Sequence, residues 1–148
     1  MIALDTNLLA RFYVDDPGDP EAAKQRPLAY EIVVKGASLF VPLTVVLELE
    51  WVLRAFYRFE AVAVIRVMEH LLGLTNVNVE ETGRVAAALE LLAQGMDFAD
   101  ALHLAGSAHC EVFYTFDDRR FARRAKRLRA SPKVVVPVPR LGQSSPGD

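Results

Sequence analysis

Five short apolar runs punctuate the chain: "MIAL" at 1–4, "SLFVP" at 38–42, "TNVNV" at 75–79, "EVFYT" at 111–115 and "KVVVPV" at 133–138. Helix-patterned stretches separate them. Strand-length segments that alternate with helices are joined by crossovers rather than hairpins, and crossovers lay helices over the faces of a parallel sheet. The expected fold is therefore α/β, an α/β/α sandwich with a short, mainly parallel sheet. A chain of 148 residues can bury roughly two-thirds of its unfolded surface in one domain. That domain is expected over 1–139, with the polar, Gly- and Pro-rich end "RLGQSSPGD" (140–148) as a disordered tail.

The helical stretches run over 6–14, 20–36, 43–57, 61–74, 80–95, 95–108 and 117–129. Within the second, Pro27 should break or kink the helix, because it lacks the N–H that the ladder needs. In folds of this kind ligands gather at the carboxyl ends of strands, where strands pass into helices. Asp5 directly follows the first apolar run and Asp117 follows "VFYTF". Both are expected on one edge of the sheet.

Other acids stand out by breaking a pattern. In "TVVLELEWVLRAFY", a spacing of 100° per residue puts Val45, Leu49, Val52 and Phe56 on one face, and Glu48 falls within that arc. Glu50 falls outside it, four residues before Arg54, where an exposed ion pair accounts for it. From Phe98 to Cys110, Asp100 is the only formally charged residue in a run of Phe, Ala, Leu, His, Gly, Ser and Cys. Asp97 lies one turn earlier. Each acid also has a structural role open to it: Asp5, Asp97 and Asp117 can cap helices, and Glu48 can pair with a buried arginine.

Four carboxylates brought together repel one another unless a hard cation neutralises them, and oxygen-only ligands favour Mg²⁺ or Mn²⁺. Zinc is disfavoured, because His70, His103 and His109 form no i, i+4 pair and have no cysteine at a zinc spacing. A metal ion held by a few carboxylates is apparatus for phosphodiester hydrolysis: one ion activates water, and a second, where present, stabilises the leaving oxygen. The charge balance, 17 basic against 19 acidic residues, is nearly even, but "DDRRFARRAKRLR" (117–129) concentrates cations. Such a segment can track phosphates, or it can be a solvated helix face whose core stripe is Phe121, Ala122, Ala125 and Leu128. One cysteine, Cys110, allows no internal disulfide. No run approaches the ~18 apolar residues of a membrane span, and "MIALDTN" lacks the features of a signal peptide. The expectation is a cytoplasmic protein with no membrane partner.

Four blocks in this order, "ALDTN" at 3–7, "ELEWVLR" at 48–54, "DFADALHLA" at 97–105 and "TFDDRRFAR" at 115–123, resemble the PIN-domain ribonucleases of the VapC toxin type. The resemblance extends from Met1 to about Pro139. It implies that Asp5, Glu48, Asp100 and Asp117 form an acidic quartet, with Asp5 and Asp100 as principal magnesium ligands and Asp97 as an additional acid at the rim. Thr6, Asn7 and Thr115 match polar residues that orient water or carboxylates. Asp118 competes with Asp117 for the last position, and Asp117 is favoured because it comes first after the strand. The resemblance further implies RNA cleavage leaving 5′-phosphate and 3′-hydroxyl ends, a homodimer formed through "WVLRAFYRFEAVAVI", and inhibition by a cognate VapB-type antitoxin. Arg119, Arg120, Arg123, Arg124 and Arg127 would steer the RNA. Two other classes fit parts of the pattern. A metal-dependent phosphatase also places an aspartate after its first strand, although Asn7 stands where the haloacid-dehalogenase type needs a second one. A non-catalytic PIN-like RNA-binding protein would be expected to have lost an acid of the quartet.

Overall fold

The computed structural model describes residues 1–139, so the expected disordered tail at 140–148 lies outside the described residues. The elements, in chain order, are β1 (Ile2–Ala3), α1 (Thr6–Tyr13), α2 (Pro20–Lys35), β2 (Leu39–Val41), α3 (Leu43–Trp51), α4 (Ala61–Gly73), β3 (Val77–Val79), α5 (Thr82–Ala93), α6 (Phe98–Ala105), β4 (Val112–Tyr114), α7 (Arg123–Leu128) and β5 (Lys133–Val135). A π-helical turn, Val52–Phe56, continues α3, and a second, Asp118–Ala122, leads into α7. The result is the α/β/α class expected, with seven α-helices and short parallel sheets among the described residues.

All strand pairs are parallel. β2 lies between β1 and β3, with Ile2 opposite Leu39 and Val41 opposite Val79. β4 pairs with β5, Tyr114 opposite Val135. These are two hydrogen-bonded sheets, not one. The expectation that Asp5 and Asp117 share one sheet edge is corrected accordingly: the strands before them, β1 and β4, belong to different sheets. The runs were long enough to mark strands, but β1 contributes only two residues and β4 three. An apolar pattern that short does not specify which edges join.

A continuous core lies between the sheets and the helices, with Leu9, Leu39, Val41, Leu49, Met68 and Leu104 almost wholly removed from water. α2 is continuous through Pro27, contrary to the expected break. Pro27 and Ala23 are both exposed, so the Ala23 carbonyl that loses its ladder partner faces solvent. Ala22, Ala29 and Val33, buried along the same helix, hold its inner face against the core.

A candidate acidic site

Asp5, Asp100 and Asp117 stand at or near the start of a helix, whereas Glu48 lies in the second half of α3. Asp5 is the N-cap of α1, and its Oδ1 accepts from the Thr6 amide at 2.8 Å. Asp117 caps the π turn before α7: its Oδ1 accepts from the Arg120 amide at 3.0 Å, while its own amide donates to Thr115 Oγ1 at 3.0 Å. Thr115 thereby fixes the backbone that carries Asp117. Asp97 occupies the N-cap position of α6 but makes no capping hydrogen bond with its side chain. Its Oδ1 instead lies 3.2 Å from Arg124 Nη1. The turn that delivers Asp97 depends on Gly95, whose φ of 104° lets α5 end and reverse.

The structure places Glu48 and Glu50 opposite to the sequence reading. Along α3 the buried positions are Val46, Leu49 and Glu50, and Leu53 of the following π turn extends that line. Glu48 is exposed, and Glu50 is only 3% exposed. The Glu50–Arg54 pair forms as expected, with Arg54 Nε donating to Glu50 Oε2 at 2.9 Å, but its carboxylate half is in the interior. Two physical reasons explain the reversal. "LTVVLELEW" is apolar nearly all round, so several faces satisfy the helical pattern equally. Beyond Trp51 the chain enters the π turn, where the Tyr57 amide bonds the Val52 carbonyl five residues back, and 100° per residue no longer tracks the surface.

Exposure gives Glu48 a position from which it can act. It lines a cleft of about 290 Å³ together with Asp5, Thr6, Asn7, Arg11 and the rings of Trp51, Phe56 and Tyr57. A second cleft joins Glu48, Glu50, Trp51 and Arg54 to Ala99 of α6. Glu48 therefore lines both the cleft that holds Asp5 and one that reaches α6, the helix that carries Asp100.

Asp97, Asp100 and Asp117 form the other group. The Asp100 carboxyl is pushed above its ordinary value chiefly by burial, then by the charges of Asp97 and Asp117; His103 and Arg124 oppose the shift. The hydrogen bond to Glu50 raises Arg54, and the charge of Asp97 adds to that effect, so the Glu50–Arg54 pair borders the same group. Asp118 is turned aside, its Oδ2 4.0 Å from Arg123 Nη2.

The donor chemistry fits a hydrated hard cation. The acids supply oxygen alone, Asp100 carries the strain of like charges, and Thr6 Oγ1 is buried beside Asp5 without a hydrogen-bond partner among the described residues. Those same residues contain no three His, Cys, Asp or Glu side chains already closed around one point. Magnesium commonly keeps several waters and few protein ligands, and an open arrangement suits that preference. His103 and His109 are exposed.

The basic segment divides by direction. Arg119, Arg120, Arg123 and Arg127 are exposed, whereas Arg124 is partly buried and turned to Asp97. Phe121, Ala122 and Ala125 are buried and Leu128 is partly so, which gives the core stripe read from the sequence. A cleft of about 700 Å³ lies between α7 and β5, where Asp118, Arg123, Lys126, Arg129 and Lys133 line it. Lys126 and Arg129 belong to the basic run read from the sequence, while Lys133, on β5, lies outside it and is brought beside it by the fold. No described helix is long and apolar enough to cross a membrane. A family model described as "PIN domain" matches residues 2–127. No curated protein matches the chain.

Proposed function

Because the chain belongs to the PIN domain family, whose members are typically magnesium-dependent nucleases, we propose that it is an endoribonuclease and the toxin of a type II toxin–antitoxin pair of the VapC type. The observation that carries the nuclease reading is the acid group itself. Three aspartates from two segments of the chain, Asp97, Asp100 and Asp117, lie close enough for the first and last to raise the middle one. Asp5 and Glu48 share the neighbouring cleft. Capping accounts for Asp5 and Asp117 singly, but it leaves Asp100 unexplained.

In this reading Asp5 and Asp100 hold the cation, Mg²⁺ or Mn²⁺. When bound, the ion supplies Lewis acidity at the phosphate oxygens and a more acidic water. Glu48 and Asp117 orient the attacking water and accept its proton. Thr6 and Asn7 position groups beside Asp5, and Thr115 holds the Asp117 backbone. Water adds to phosphorus and the P–O3′ bond breaks, the departing O3′ taking up the proton that the carboxylate accepted, which leaves a 3′-hydroxyl and a 5′-phosphate. Arg119, Arg120, Arg123 and Arg127, all exposed, draw the polyanion in.

The homodimer and the VapB-type antitoxin are part of the same proposal. Trp51 and Phe56, 56% and 69% exposed, lie with Val62 along the segment offered for dimerisation, and Tyr30 and Val34 share an exposed face of α2. Aromatic and aliphatic side chains grouped on a surface mark contact with another chain. The experiment is expression of the wild type and Asp100→Asn in cells, with and without the reading frame adjacent to the gene. Growth arrest by the wild type alone, relieved by the partner and absent for Asp100→Asn, is expected. Harmless expression without any partner would remove the toxin role.

A further inference from the structure

We propose that Arg124 is a phosphate-binding residue of the acidic site, tethered to Asp97 in the free protein and able to turn its guanidinium to a non-bridging oxygen of RNA entering beside Asp100. The inference rests on the nuclease reading above and assigns one cation of the basic segment a place inside the site.

Three observations carry it. Arg124 is the one arginine of 119–127 that is not exposed, and it comes from α7 rather than from any element bearing the quartet. Its Nη1 is 3.2 Å from Asp97 Oδ1, close enough for charge attraction, yet the atom is buried and finds no aligned hydrogen-bond acceptor among the described residues. A buried guanidinium N–H without an acceptor is costly and is held ready for one. Its charge also reaches Asp100, where it opposes the upward push from Asp97 and Asp117.

The chemistry follows from the charge balance. A pocket of carboxylates repels the phosphate it must cleave, and a cation built into its wall offsets that repulsion. Arginine suits the task because its planar fork meets two phosphate oxygens at once, while lysine presents a point charge. The same charge competes with a divalent ion for the acids until RNA draws it away. Removing it should thus shift two affinities in opposite directions: the metal is held more tightly and RNA less tightly. A residue that only fastened α7 to α6 would not produce that split.

The test measures Mn²⁺ binding to the whole protein by electron paramagnetic resonance. Binding of a labelled 20-nucleotide single-stranded RNA in EDTA is measured alongside by anisotropy at several salt concentrations. Arg124→Gln should bind Mn²⁺ about five-fold more tightly and RNA about five-fold more weakly, with the salt slope reduced by about 0.7 for one lost phosphate contact. Arg123→Gln removes the same charge one residue away and should leave Mn²⁺ affinity unchanged. Arg124→Lys keeps the charge without the fork, should restore the wild-type Mn²⁺ affinity but not the RNA affinity, and serves equally if the glutamine variant does not fold. If the wild type binds Mn²⁺ and Arg124→Gln binds it no more tightly, the Arg124 assignment is overturned and the nuclease reading stands. If the wild type binds no Mn²⁺ at all, both fall.

Discussion

The two acid groups, Asp5 with Glu48 and Asp100 with Asp97 and Asp117, solve the same electrostatic problem differently. At the Asp5 end, a helix amide holds the carboxylate and the cleft wall is aromatic, with Trp51, Phe56 and Tyr57 facing Glu48. At the Asp100 end, the carboxyl is partly buried among like charges, and the relief comes from side-chain cations, Arg124 and His103. A carboxylate that a backbone dipole already stabilises is ready to bind a cation with little reorganisation. One crowded by other acids gains most when a cation arrives. Asp5 is thus placed by the fold, whereas Asp100 is left in need of a partner.

The largest expected effect removes that need. Asp100→Asn and Asp5→Asn should each lower cleavage of a labelled RNA by roughly 100-fold or more, in line with the loss of a group that organises transition-state charge, while circular dichroism stays unchanged. Near-full activity in either purified variant would break the comparison at that end.

Next in size is the contrast between two glutamates two positions apart in α3. Glu48→Gln should reduce cleavage and leave the melting temperature unchanged. Glu50→Gln should do the reverse, destabilising by about 1–2 kcal/mol, below the usual cost of breaking a buried pair because Arg54 remains half exposed and can be hydrated. Thermal melts and cleavage assays on the two variants decide it, and equal effects of both would erase the distinction between site acid and structural acid.

A smaller effect concerns pH. The fold raises Asp100 above its unfolded value, so the native state holds that proton more tightly than the unfolded chain does. Stability then falls as pH rises from about 3.9, the unfolded value, through the raised native one, and the loss persists above it. Asp100→Asn, lacking this titration, should melt higher than the wild type at pH 7.5, with the gap closing toward pH 3.5. A gap that is constant with pH would contradict the raising of Asp100 by burial and by the charges of Asp97 and Asp117. Smallest of all, Arg127→Gln should leave cleavage at low salt nearly intact and reduce the salt slope of RNA binding by about 0.7, as expected for one phosphate contact on single-stranded RNA.

The fold class and the order of its elements were legible because strand and helix periods differ and the apolar runs are well separated. The positions of Asp5 and Asp117 after strands and of Asp100 in an uncharged helix could be read for the same reason. What could not be read were relations across space. Nothing in "MIAL" and "EVFYT" says that their strands join different sheets. Nothing in "VVLELEW" chooses among its apolar faces, so Glu48 and Glu50 exchanged roles. The i, i+4 spacing did announce the Glu50–Arg54 bond, but burial of its acid end depends on α3 packing between α1 and α6. Arg124 separated from its neighbours for a similar reason: seven cations in 119–129 look alike in sequence, and only the rotation of α7 turns one of them to Asp97.

The most direct measurement is cleavage of a labelled RNA by the purified protein in Mg²⁺ or Mn²⁺ against EDTA, with a phosphomonoester assayed alongside. Cleavage that requires the divalent ion, leaves 5′-phosphate and 3′-hydroxyl ends, and is absent on the monoester is expected. RNA binding without cleavage in either metal, or hydrolysis of the monoester instead, would contradict the assignment of the acidic site to RNA hydrolysis.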